Sequence, residues 1–311
     1  YQLKKLFIYL LVIALTVIAI FSILGYFGRS SWKLDLFSHF KVQYLSILLP
    51  GTLILFLLKK KTYLVFLPFI FILIYEIQGL FYGGNKNTDL EETIKIVCIN
   101  LLSSNNAFDE VDKYIRDQSP DIVILQEFNE KWKNGLETTF IHFKHKLEVP
   151  RNDNFGIAVY SKIELSSIQQ IDIGKANIPS IIANFKLGQK ITSLIATHPL
   201  PPVDDYYFEN RNIQLNQIAE FVSNIDNEVI LIGDLNTSSF SLHFKKLVNK
   251  SELIDSRKGF GVLPTWPTWF LPAKTTLDHC LVSRNIKISS RSVGQGIGSD
   301  HLPIVIEIGI K

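Results

Sequence analysis

The densest chemistry in the chain lies in Val229-Ile230-Leu231-Ile232-Gly233-Asp234-Leu235-Asn236-Thr237. Four apolar residues read as a buried strand, and Gly233 turns the chain where a carboxylate and an amide stand two residues apart. A buried carboxylate is costly unless paired or metal-bound, so Asp234 needs a partner. Helix capping is the structural alternative, because Asn236, Thr237 and Ser238 precede a helix-like stretch over 240–248. Four further strand ends carry polar groups: Asn100 after 96–99, Gln126-Glu127 after 122–125, Asp278-His279 before 280–282, and Ser299-Asp300-His301 before 304–306. A hydrolytic site needs charge relief on the group under attack, a deprotonated water and a stabilised leaving oxygen. A divalent ion held by oxygen ligands supplies the first and the last. Glu127 and Asp300, with no cysteine and few amides near them in sequence, form a hard donor set suited to Mg²⁺ or Mn²⁺ over Zn²⁺.

Taken in order, Asn100, Gln126-Glu127, Thr197-His198, Gly233-Asp234-Leu235-Asn236, Leu277-Asp278-His279 and Ser299-Asp300-His301 resemble the motifs of the endonuclease/exonuclease/phosphatase superfamily. That superfamily includes deoxyribonuclease-like nucleases, abasic-site endonucleases, neutral sphingomyelinases and inositol polyphosphate phosphatases. The resemblance covers residues 93–311 and implies a four-layer α-β-β-α sandwich of two mixed sheets. It also implies roles. Glu127 matches the metal carboxylate, Asn100 the amide that holds it and reaches the metal, and Asp300 a further metal ligand. Asp234 and Asn236 match the pair that orients the attacking water and contacts the phosphate, with Asp234 as base. Asp278 matches the partner of His301, whose pKa a neighbouring carboxylate raises, leaving a cationic imidazole against a phosphoryl oxygen. His198 matches a second histidine of deoxyribonucleases and sphingomyelinases that protonates the leaving oxygen, with Glu148 as its expected partner. Arg211 reads as half of a structural ion pair. His279 points away from Asp278 along the strand and receives no role.

Several elements must position these groups. Apolar runs predict strands over 94–99, 121–125, 156–160, 181–186 and 191–196, and helices near 107–118 and 206–223. In the last of these, Phe208, Leu215, Ile218 and Val222 recur at helical spacing. Strands interspersed with helices give an α/β layered fold. Cys98 and Cys280 each sit within an apolar run and read as buried free thiols. The aromatic loop 263–272, with Trp266, Trp269 and Phe270 among three prolines, is suited to wall a pocket, rest in lipid headgroups or cover a sheet edge. Its Pro264-Thr265-Trp266-Pro267 resembles bacterial membrane-anchored members of the superfamily.

The first third of the chain differs in kind. With 47% hydrophobic residues among 311, the sequence is long and apolar enough for a membrane part plus one domain. Residues 6–27 carry no charge, and about 20 apolar residues span a bilayer as a helix. Residues 42–58 and 62–82 predict two more spans, so the expectation is a transmembrane region over 1–82, a Gly- and Asn-containing linker over 83–92 and a catalytic domain over 93–311. Lys4, Lys5 and Lys59 to Lys61 fall on one side of a three-span arrangement and Arg29, Lys33 and Lys41 on the other. The positive-inside rule then gives a cytoplasmic N-terminus and an extracytoplasmic domain on a bacterial inner membrane. Nine basic and three acidic residues precede Glu91, leaving 23 basic and 26 acidic from there on, a balance that argues against a broad grip on duplex nucleic acid. The expected partners are the bilayer and a phosphoester, in nucleic acid or a phospholipid headgroup. The competing class is a membrane-anchored binding or assembly subunit that keeps the fold without turnover; retention of all six motifs favours the enzyme.

Overall fold

Strand β1 (Ile94–Asn100) turns Ile96 and Cys98 to one face and Val97 and Ile99 to the other, and all four are buried. A strand covered on both faces reads in sequence as a continuous apolar run. Strands β2 (Ile122–Gln126) and β8 (Glu228–Asp234) behave alike. The computed structural model describes residues 1–90 and 92–310; Glu91, in the expected linker, and Lys311, the expected end of the domain, lie outside the described residues.

Among the described residues the chain forms two six-stranded sheets. The first runs in the order β11 (Ile286–Val293), β12 (Ile304–Ile310), β1, β2, β4 (Ile157–Ser161), β3 (His145–Val149). The second runs β5 (Leu165–Asp172), β6 (Pro179–Leu187), β7 (Lys190–Thr197), β8, β10 (Asp278–Val282), β9 (Ile254–Asp255). Both are mixed: β1 and β2 are parallel, as are β7 and β8, and their other neighbours are antiparallel. The inward faces meet in a core that includes Ile96, Ile124, Val159, Phe185, Leu194 and Ile230. Outside the first sheet lie α5 (Phe108–Gln118), α6 (Glu130–Gly135) and the packed rings of Trp132 and Phe140. Outside the second lie α7 (Asp205–Ser223) and α8 (Leu242–Ser251), which bury Leu215, Ile218, Phe244 and Leu247. Four layers result. Each parallel pair is joined by a crossover through α5 or α7, so the C-terminal ends of β1, β2, β7 and β8 carry the polar residues of the motifs.

Before the sandwich come α1 (Gln2–Leu24), α2 (Trp32–Leu36), α3 (Lys41–Leu57) and α4 (Leu67–Gln78). Residues 2–27 and 32–57 form two helical stretches long and apolar enough to cross a membrane; α4 is a shorter apolar helix of 12 residues. The expected third span therefore lacks a helix of spanning length, because residues 61–65 form a 3₁₀ turn and Pro68 sets the start of α4. Helices α1 and α3 pack closely, since a Cβ at Gly51 would fall 2.5 Å from a Leu15 methyl. The outer surface stays apolar, with Leu6, Ile13, Ile20, Leu53, Phe56 and Phe71 exposed. At the sandwich end of these helices Glu76 bridges Lys41 (3.3 Å) and Lys245 of α8 (2.9 Å).

Candidate active site

Strand β8 delivers Asp234 to the site through a glycine. Gly233 has φ 148°, and a Cβ there would lie 2.0 Å from the Thr197 carbonyl oxygen, so a side chain would force β7 and β8 apart. The Asp234 amide donates to Gln126 Oε1 (3.0 Å), and Gln126 Nε2 donates to the Thr197 carbonyl (2.8 Å). One fully buried amide side chain thus ties the two sheets together beneath the site.

Asp234 is almost wholly buried and takes contacts from three side chains. Asn100 Nδ2 donates to its Oδ2 (3.3 Å), and His301 Nε2 and His198 Nε2 stand 3.5 and 3.6 Å from the same oxygen. Its Oδ1 accepts the Asn236 amide (2.9 Å), which Asn236 can offer because it adopts a left-handed conformation that asparagine tolerates. Burial opposes the charge on Asp234, but His301, His198 and the Asn236 amide outweigh it and hold the carboxyl below its ordinary range. Asn236 Nδ2 donates to the Pro199 carbonyl (2.9 Å), fixing the loop after β7.

Asp278 lies directly opposite Asp234 in the β8–β10 pairing. Its Oδ2 stands 2.8 Å from His301 Nδ1. Burial works against the imidazolium, yet Asp278 first and Asp234 next raise the His301 pKa to about 10, so the ring stays protonated at neutral pH. Asp234, Asp278 and His301 bring one potential ligand atom each within 4.8 Å of one another, a spacing that would also serve a cation. A protonated imidazole with both nitrogens turned to carboxylates has no lone pair to give a metal, so this trio reads as a charge-paired triad.

The oxygen donors suited to a metal lie beside it. Glu127, in a left-handed conformation at the end of β2, has its Oε2 held by the amide (2.9 Å) and hydroxyl (3.1 Å) of Ser103. Asp300 accepts from Trp266 Nε1 through Oδ2 (3.0 Å), while its buried Oδ1 has no hydrogen-bond partner among the described residues. Both carboxylates line one cleft of about 450 Å³ with His198, Asp234, Asn236 and His301. Oxygen donors, one of them a buried orphan, fit a hard divalent cation. Asn100 is placed otherwise than expected, with its Oδ1 accepting the Leu102 amide (3.1 Å) and its Nδ2 on Asp234, so in this geometry it holds the Asp234 carboxylate.

One expected pairing needs correction, two other expectations hold, and several contributors were missed. Glu148 does not pair with His198, because it faces the outer layer and bonds Tyr160 (2.9 Å) and Lys146 (2.9 Å). His279 points to the opposite face from Asp278, its Nε2 2.8 Å from the Thr237 carbonyl. Arg211 does form an ion pair, and its partner is Asp35 of α2, between α1 and α3. Ser103 gave only a weak local signal, a serine after a turn, and Gln126, named with Glu127 in its motif, received no role. Asp35 and His39 could have been found as isolated polar residues between two apolar stretches.

A family model for the endonuclease/exonuclease/phosphatase family matches residues 97–301. The chain belongs to this family. Solved structures share the fold at low identity. The human nocturnin catalytic domain is 18% identical with a TM-score of 0.59, covering 72% of this chain and 96% of its own. Humanized D. rerio TDP2 is 15% identical with a TM-score of 0.58, covering 70% and 99%. Sphingomyelinase C from Streptomyces griseocarneus is 19% identical with a TM-score of 0.51, covering 71% and 100%. No curated protein matches the sequence.

Proposed function

We propose that this member of the family is a membrane-anchored, Mg²⁺- or Mn²⁺-dependent phosphodiesterase. The observation that carries the reading is the line of contacts from Asp278 through His301 to Asp234, in one cleft with Glu127 and Asp300. Glu127 and Asp300 would hold the divalent ion, which when bound neutralises phosphoryl charge and stabilises the leaving oxygen. Asp234, ionised and fixed by Asn100 and the Asn236 amide, orients the attacking water and accepts its proton. His301, kept cationic by Asp278, binds a phosphoryl oxygen, and Asn236 turns the Nδ2 hydrogen not given to Pro199 to the same phosphate. His198 donates a proton to the leaving alkoxide, a step worth roughly 10² to 10⁴ in rate.

Anchoring is supported by the outward apolar surface of the N-terminal helices. The contact of Glu76 with Lys41 supports three passes, because residues 61–78 then return to the level at which α3 begins. Two long helices alone would place the sandwich on the opposite side, and a cysteine-labelling map of Lys59 to Lys61 against Arg29 distinguishes the cases.

The test is hydrolysis of bis(p-nitrophenyl) phosphate by the purified full chain with Mg²⁺, with Mn²⁺ and with EDTA, beside His301→Ala. Metal-dependent turnover that EDTA and the substitution each reduce at least about 100-fold is expected. Equal turnover in all arms would remove the metal and His301 from the mechanism, and none in any arm would instead favour a binding subunit that retains the fold.

A further inference from the structure

The catalytic cleft is not built by the sandwich alone. One wall consists of Trp32, Leu36, His39 and Phe40, which belong to the segment joining α1 to α3. This segment is bolted in place. Asp35 is fully buried, paired with Arg211 of α7 (2.8 Å) and bonded by the Ser241 hydroxyl (2.7 Å). His39 accepts the Ser238 amide at Nδ1 (3.2 Å), and its carbonyl accepts from the Thr275 hydroxyl (2.9 Å). Such fixing is more than a tether requires.

We infer that this wall is a specificity element, and that the cleft takes a lipid phosphodiester resident in the bilayer. The inference rests on the hydrolase reading above and narrows its substrate. Three observations carry it. The Trp32–Phe40 wall is continuous in sequence with the apolar helices, so a lipid chain leaving the cleft on this side meets the surface that the bilayer covers. Among the described residues no lysine or arginine lines the cleft, whereas tracking a nucleic-acid backbone draws on several. The loop beside this wall is tied to α3 by Gln43 Nε2 donating to the Lys274 carbonyl (2.7 Å), and it presents Trp269, Phe270 and Leu271 to the outside, where aromatic side chains suit a headgroup layer. In the reaction, water adds to phosphorus, the P–O bond to the leaving alcohol breaks, and that oxygen takes a proton, giving a phosphomonoester and an alcohol.

The experiment uses the full chain in vesicles of phosphatidylcholine with sphingomyelin, measuring release of phosphorylated headgroup or free headgroup alcohol, beside bis(p-nitrophenyl) phosphate and single-stranded DNA in solution. Leu36→Ser should lower kcat/KM on vesicle lipid relative to the aryl diester by about tenfold, mostly through KM, and Leu36→Met should restore the ratio. Ile141→Ser, an exposed apolar change on the sandwich, should alter neither. A photo-crosslinking side chain at position 36 should label a vesicle lipid, a readout independent of turnover and of how well Leu36→Ser folds. An unchanged ratio with no crosslink, or DNA turned over more efficiently than lipid, would overturn the inference. Absence of turnover on the aryl diester by the unmodified chain would instead count against the hydrolase reading itself.

Discussion

Arg211 and Asp35 form an ion pair at 2.8 Å with both side chains wholly inaccessible, joining the helix beside the active site to α2, between α1 and α3. The same guanidinium donates from Nη1 to the Asn236 carbonyl (2.9 Å), so the pair also braces the loop that presents Asn236 and the Asp234 contact. Removing one member of a buried pair strands the other charge, at a cost of about 3–5 kcal/mol, while replacing both with apolar groups is far milder. Asp35→Leu and Arg211→Met should each lower the melting temperature in detergent markedly, and the double variant should recover much of it. Strictly additive losses would mean that the two residues do not interact.

The contact between Asp278 and His301 leads to a second expectation. Asp278→Asn keeps the shape but removes the charge that raises the imidazole pKa, so His301 should lose its proton at lower pH than in the unmodified chain. Turnover at pH 7.5 should fall by about 10² to 10⁴, as it does when an orienting carboxylate is neutralised elsewhere. Histidine NMR would register the lowered pKa directly, and unchanged stability would separate this from unfolding. A variant with normal turnover across neutral pH would remove Asp278 from the site.

How far these features could be read in advance follows from how each is encoded. β1, β2 and β8 are covered on both faces, so their apolar runs were legible, as was α7 from its spaced Phe208, Leu215, Ile218 and Val222. β5 was not, because this edge strand, Leu-Ser-Ser-Ile-Gln-Gln-Ile-Asp, spaces its apolar residues three apart, with Ile168 packed on the inner core and Ile171 on the outer layer, and so shows no alternation. Polar residues at strand ends marked the site, and the match to family motifs ordered them. The opposition of Asp234 and Asp278 depends on the β8–β10 register, which no local pattern specifies. The Asp35 and His39 contacts were hidden for another reason: they form between the apolar N-terminal part and the sandwich, two units that sequence composition sets apart.

Stability should depend on pH through His279. Burial first, and the nearby Arg257 next, push its pKa down to about 3, while its Nε2 faces the Thr237 carbonyl and its ring lies 4.5 Å from Phe244. An unfolded chain takes this proton near the ordinary value of about 6.5, whereas the folded chain does not until about 3. Between those values the unfolded state binds one more proton, so this contribution is complete above about pH 6.5 and is lost as pH falls, by about 1.4 kcal/mol per pH unit. Asp255, held down to about 2 mainly by Arg257 against the burial that opposes its charge, adds a loss of the same sign only below about pH 4. Denaturant melts between pH 6.5 and 4.5 should therefore be flatter for His279→Gln than for the unmodified chain; parallel curves would contradict the assignment.

Trp266 combines an apolar wall with one directed hydrogen bond, its Nε1 to Asp300 Oδ2 at 3.0 Å and its ring 6.3 Å from that of His301. Trp266→Phe would keep most of the wall and remove the donor, leaving Asp300 free to rotate. Outer partners that orient a ligating carboxylate typically account for about 10- to 100-fold in metal affinity. Mn²⁺ binding followed by electron paramagnetic resonance should weaken by that factor in Trp266→Phe, with the activation profile shifted to higher Mg²⁺ and kcat at saturating metal changed far less. If Asp300 does not ligate the ion, Mn²⁺ affinity will be the same in both proteins, and the loss will appear instead in KM for substrate as a property of the wall.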